Sequence, residues 1–139
     1  MTESSEFFSG LKARVSRMGF TSNQPTPSSM NLLSRKGMNI TVNMAPKHGR
    51  LSVKITINRG KNQCTNPRFT ALRAARENES KQLDGTPKWD PQEGKRESKF
   101  ELARPIHRPG SVEGWDEQYE WVERHAAILR KWVQDLPDE

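Results

Sequence analysis

The sequence predicts one α+β domain, a four-stranded antiparallel sheet covered on one face by three helices in the order α-β-β-α-β-β-α. Three observations carry that prediction. In residues 37–58, Met38, Ile40, Val42 and Met44 alternate with polar residues and are answered by Leu51, Val53, Ile55 and Ile57. In residues 96–103, Ser98, Phe100 and Leu102 alternate with Glu97, Lys99 and Glu101. Alternation of this kind marks strands with one buried and one wet face. From Trp115 onward the apolar period changes to that of a helix, with Tyr119, Val122, Ala126, Leu129, Val133 and Leu136 in one stripe, widened by Trp121, His125, Ile128 and Trp132.

Taken in order, Met1 to Glu6 is polar and reads as a frayed end. Phe7, Leu11, Val15 and Met18 then fall at helical spacing, with Phe8 beside them, Ser4 or Ser5 as the cap and Gly19 as the stop. Residues 20–34, which hold Pro25 and Pro27, read as a long connector that Met30, Leu32 and Leu33 anchor as an irregular edge strand. The hairpin follows. One register, with Met44 opposite Leu51 and Met38 opposite Ile57, puts every apolar residue of both strands on the same face, and a slip by one residue would lose this. Asn66-Pro67 supplies a cap and an N1 proline for a helix over 67–83 that buries Phe69, Leu72, Ala75 or Arg76, and Leu83. Residues 87–90 make a short strand. Residues 104–114, with two prolines and two glycines, make a loop, and Ser111 caps a last helix of about 22 residues, roughly 33 Å long.

A chain of 139 residues fits a single domain, and one of that size buries roughly 70% of its unfolded surface. No run approaches the roughly 18 apolar residues of a membrane span, and the start does not resemble a signal peptide, so a cytoplasmic protein without membrane contact is expected. Cys64 is the only cysteine, which excludes an internal disulfide and a multi-cysteine metal site. His48, His107 and His125 have no ligand spacing, so neither metal nor cofactor is expected, and His125, between apolar neighbours, reads as structural.

Charge is distributed unevenly. Residues 1–76 carry 13 Lys and Arg against Glu3 and Glu6, a net +11, and residues 77–139 carry the other 10 cations against 15 acids, a net −5. Either the basic half presents a field to a polyanion, or the two halves face each other and cancel.

The pattern Ser29-Met30-Asn31 ahead of Gly37, the strands 40–44 and 51–57, Phe69 and Leu72, Trp89 ahead of Lys99-Phe100, and Trp115 with Trp121 resembles a bacterial domain family of unknown function. That family occurs alone or after nuclease-like domains in proteins linked to restriction and genome defence. The resemblance covers residues 29–136 and implies a fold and a defence setting, bacterial or phage, rather than a chemistry.

Three functions are ranked. The first is a non-catalytic module that contacts nucleic acid through the polar hairpin face, with Lys47, His48, Arg50, Lys54, Arg59, Arg35, Lys36, Asn43 and Asn58 as its binding residues. The second is a protein-binding or homodimerising module, its partner an acidic protein surface or a second copy, that uses the hairpin edge or tryptophan surface on the last helix. The third is a metal-dependent nuclease built on Asp84 with Glu97 and Lys99, ranked last because Glu93-Gly94-Lys95 repeats the same pattern in a polar turn. Catalytic residues are therefore not assigned.

Overall fold

The structure, a computed structural model, describes residues 3–20, 23–26, 29–35, 37–45, 49–58, 66–91, 97–105 and 115–136. Its elements are α1 (Glu3–Arg17), β1 (Asn23–Thr26), β2 (Ser29–Arg35), β3 (Met38–Ala45), β4 (Arg50–Asn58), α2 (Pro67–Ser80), β5 (Thr86–Asp90), β6 (Glu97–Pro105) and α3 (Trp115–Gln134). The class is the predicted one, α+β with three helices and a wholly antiparallel sheet. The strand count is not. The sheet has six strands in the order β1-β2-β3-β4-β6-β5, not four.

The two additional strands come from the connector over residues 20–34: the irregular strand expected at Met30, Leu32 and Leu33 is β2, and β1 rather than β2 is the edge. β2 pairs with β3 from Ser29 opposite Asn43 to Arg35 opposite Met38, and its register shifts between Asn31 and Leu33. That irregularity lets Met30 and Leu32 both be buried while Leu33 packs against the core from a partly buried position. Pro25 and Pro27 argue against a helix there, and β1 is an edge strand of four residues, an edge being where a sheet accommodates proline. Arg104 and Pro105, placed in a loop by the sequence, are the last residues of β6.

The hairpin has the predicted register throughout, from Met38 opposite Ile57 to Ala45 opposite Arg50. It is interior to the sheet, with β2 on one side and β6 on the other, so it has no free edge. Ile40, Val42, Val53, Ile55, Phe100 and Leu102 share one face and are fully buried. Over them lie Phe8, Leu11 and Val15 of α1, Phe69 and Leu72 of α2, and the stripe of α3 from Tyr119 to Leu136.

Helix ends follow local chemistry. Asn66 accepts the Phe69 N–H at 3.3 Å and donates to the Ile57 carbonyl at 2.8 Å, so the α2 cap also ties the helix to β4. α2 stops at Ser80, short of the predicted Leu83, and Ala75 is exposed while Arg76 is half-buried with its guanidinium 5.9 Å from the Trp132 ring centre. α1 begins at Glu3, which places Ser4 and Ser5 inside the helix rather than at its cap, and Gly19 ends the turn with φ 86°. Gly10 lies where α1 meets α3: a Cβ there would sit 2.4 Å from the Tyr119 hydroxyl. An aromatic group joins the last elements. Trp89 lies 4.4 Å from Phe100 and stacks on Trp132 at 6.3 Å, with Phe69 edge-on at 5.9 Å.

Candidate functional site

The helices occupy one side of the sheet. Among the described residues no element packs over the other, which carries Asn31 on β2, Asn39, Thr41 and Asn43 on β3, Lys54 on β4, Lys99 and Glu101 on β6, and Lys88 and Asp90 on β5, all partly or fully exposed. At about 4.8 Å between strands, six strands of mostly seven to nine residues present a face of roughly 25 Å by 25 Å. Along its centre the side chains are short. Ser52 lies between Asn43 and Ala103, and Thr56 between Asn39 and Lys99; flanked in this way, they are only 3% and 7% exposed.

This face holds part of the predicted site. Asn43, Arg50, Lys54 and Asn58 are on it, but Arg50 and Asn58 are the two ends of β4, about 27 Å apart along the strand, and do not form one cluster. Arg35 closes β2 opposite Met38. Lys36, Lys47, His48 and Arg59 lie outside the described residues.

The cations are not left to form a uniformly basic surface. Arg50 forms an ion pair with Glu101, and Lys54 stands opposite Glu101 across the β4–β6 ladder. Burial and the neighbouring Lys99 ammonium push the Lys54 amine below its usual range, with Glu101 and Glu97 pulling the other way. The same cancellation recurs elsewhere, where Arg14 meets Glu123 at 3.1 Å and Arg76 meets Asp135 at 2.8 Å. Cations of the basic half thus face acids of the acidic half, the second of the two arrangements that the charge distribution allowed.

Two hollows indent the face. One, of about 430 Å³, has Ala103 and Pro105 in its lining with Arg50 and Lys88 beside them. The other, of about 170 Å³, lies among Lys54, Lys88, Lys99, Asp90 and Glu101. Lys88 lines both, so they lie side by side along β5. Lys88 and Lys99 were missed by sequence reasoning because they belong to the acidic half and to strands whose neighbour in the sheet was unknown. Alternation of Glu97, Lys99 and Glu101 opposite Lys54 was the available signal.

Other readings lose ground on geometry. Asp84 lies beyond Thr86, which pairs with Ala103, six residues from Glu97; the carboxylates of the nuclease reading are therefore about 20 Å apart along the sheet. Asp84 instead accepts the Trp121 indole N–H on its backbone carbonyl at 2.6 Å and faces Arg124 at 3.4 Å. Among the described residues no three His, Cys, Asp or Glu are grouped as a metal site would require. His125 is structural, as expected: it is 2% exposed, and Nδ1 lies 2.8 Å from the Trp121 carbonyl, which makes Nδ1 the protonated nitrogen. Trp121 and Trp132 are 1% and 2% exposed, so these two offer no tryptophan surface to a partner. Both sheet edges carry a proline, Pro25 in β1 and Pro87 in β5, which blunts strand addition. No described helix is long and apolar enough to cross a membrane.

No protein-family model and no curated protein sequence matches the chain. Its fold resembles that of a chain in the crystal structure of the ExsC–ExsE complex, with a TM-score of 0.50 at 14% identity over 99% of this chain and 98% of that one. More distant are YbjN from E. coli, at 0.43 and 11% over 87% and 92%, and a chain of the HopA1–SchA chaperone–effector complex, at 0.43 and 13% over 89% and 98%. At these identities the likeness to the ExsC–ExsE chain is one of fold.

Proposed function

We propose that the protein is a non-catalytic protein-binding module that uses the open face of its sheet. The observation that carries this reading is a broad face, somewhat under the roughly 800 Å² that each partner contributes to a standard interface, whose charges are of both signs rather than uniformly basic. Protein surfaces meet through such mixed polar faces, with opposite charges setting register and partner choice. Binding of nucleic acid is less well supported. Asp90, Glu97 and Glu101 stand among the lysines, and the described residues of this face include no aromatic side chain on which a base could stack. The shared fold adds support, since the ExsC–ExsE structure is a complex of two proteins. A defence or counter-defence setting, implied by the family resemblance, belongs to the same proposal, and the neighbouring genes test it.

Photo-crosslinking residues placed at Thr41 and Lys88 on the open face, and at Lys12 and Lys131 on the helices, test the reading in cells. A protein adduct from the first pair and none from the second is the expected result. Adducts to nucleic acid, or protein adducts from the helical positions alone, would overturn it.

A further inference from the structure

We infer that the hollowed surface along β5 and β6 receives an extended acidic segment of a partner protein. The inference rests on the protein-binding reading and names the chemistry of what is bound. Within the hollow Arg50 is matched by Glu101, while the Arg104 side chain turns to the helix side, where it meets Glu117 at 3.0 Å. Lys54, Lys88 and Lys99 are left against Asp90 and the neighbouring Glu97, three cations to two carboxylates and a surplus of one positive charge. Lys54 is half-buried beside Lys99, so its charge is poorly solvated, and an incoming carboxylate would relieve both effects.

Dimensions and lining favour a peptide. From Thr86 opposite Ala103 to Asp90 opposite Lys99 the hollow follows four residue steps, about 13 Å, which is the length of about four extended residues. A nucleic acid strand of that length would bring evenly spaced phosphates against Asp90 and Glu101. A peptide can instead place its carboxylates opposite the lysines and an apolar side chain over Ala103 and Pro105. Pro87 has no N–H to offer to an added strand, so recognition falls to side chains rather than to backbone pairing at the β5 edge.

Fluorescence polarisation tests this with a labelled ten-residue peptide alternating Glu with Ala and Leu, and with a labelled ten-nucleotide thymidine strand, each at low and at high salt. The peptide is expected to bind at low salt and to weaken as salt rises. Lys88→Glu and Lys99→Glu should each weaken it by about tenfold, and Lys12→Glu, the same charge change on α1, by less than about twofold. Equal losses in all three variants, absence of peptide binding at low salt, or tighter binding of the thymidine strand would overturn the inference. Sedimentation covers a second copy of the chain as occupant: salt-sensitive self-association that the peptide cannot displace would also overturn it. Protein adducts from Thr41 and Lys88 without peptide binding would remove the acidic segment and leave the protein-binding module standing. Circular dichroism of each variant separates lost binding from lost fold.

Discussion

The two faces of β4 differ less in burial than in what fills them. On the helix side Leu51, Val53, Ile55 and Ile57 are fully buried against three helices. On the other side Ser52 and Thr56 are nearly as buried, yet what flanks them there is Asn39 and Asn43 of β3 and Lys99 and the small Ala103 of β6. Depth on the first face comes from packing and on the second from neighbours standing taller on a flat sheet. The energies should therefore differ. Trp132→Ala, which removes a ring stacked on Trp89 and packed 5.4 Å from Phe100, should cost about 3–5 kcal/mol in urea unfolding, and Ile55→Ala about 2–5 kcal/mol. Thr56→Ala should cost less than about 1 kcal/mol, because few packing contacts go with it. Equal losses at Ile55 and Thr56 would mean that an unrecognised layer covers the open face.

The next largest effect sharpens the account of the closed side. Gly10→Ala ought to stabilise α1 by roughly 1 kcal/mol on helix propensity alone. Contact with the Tyr119 hydroxyl at 2.4 Å reverses the sign, and a net loss of about 1–2 kcal/mol is expected. Tyr119→Phe in the same chain should recover part of that loss, since the nearest remaining ring atom is 3.0 Å away. A neutral or stabilising Gly10→Ala would show that α1 and α3 can separate freely.

How far the sequence could be read follows from the same contrast. The hairpin register was legible because an apolar period of two on both strands leaves only one alignment that keeps both buried sets together. α3 was legible because its stripe is long. β1 was not, since four residues with a proline carry no usable period and are held by pairing with β2. Of the predicted binding residues, Arg50 and Lys54 share a strand, so their common face could be read from the alternation of β4. Lys88, Lys99 and Glu101 join them only because β6 crosses to lie beside β4, and strand order is a tertiary fact that charge counting by halves of the chain obscures.

His125 links the closed side to pH. Burial lowers its pKa below the usual value of about 6.5, against the hydrogen bond to Trp121, which raises it. The folded value is the depressed one, so the contribution to stability is complete above the unfolded pKa and is lost as pH falls from there through the folded pKa. Wild-type protein should lose stability in that window at no more than about 1.4 kcal/mol per pH unit for this one proton. His125→Gln should show a shallower slope, with His48 and His107 common to both proteins. Parallel slopes would mean that His125 is protonated without cost.

The smallest expected effect bears most directly on the open face. Lys54 is held below its ordinary pKa, so its charged form is worse off folded than unfolded, and neutral pH carries that penalty. Lys54→Met keeps the length of the side chain and removes the charge next to Lys99, while giving up the attraction of Glu101 and Glu97. Because burial and Lys99 outweigh those acids, the variant should be slightly more stable than wild type in urea unfolding. It should also bind the acidic peptide more weakly than wild type does. Gain of stability with loss of binding is what a charge kept for a partner predicts, whereas loss of both would make Lys54 a structural member of the β4–β6 ladder, matched to Glu101 like Arg50 beside it.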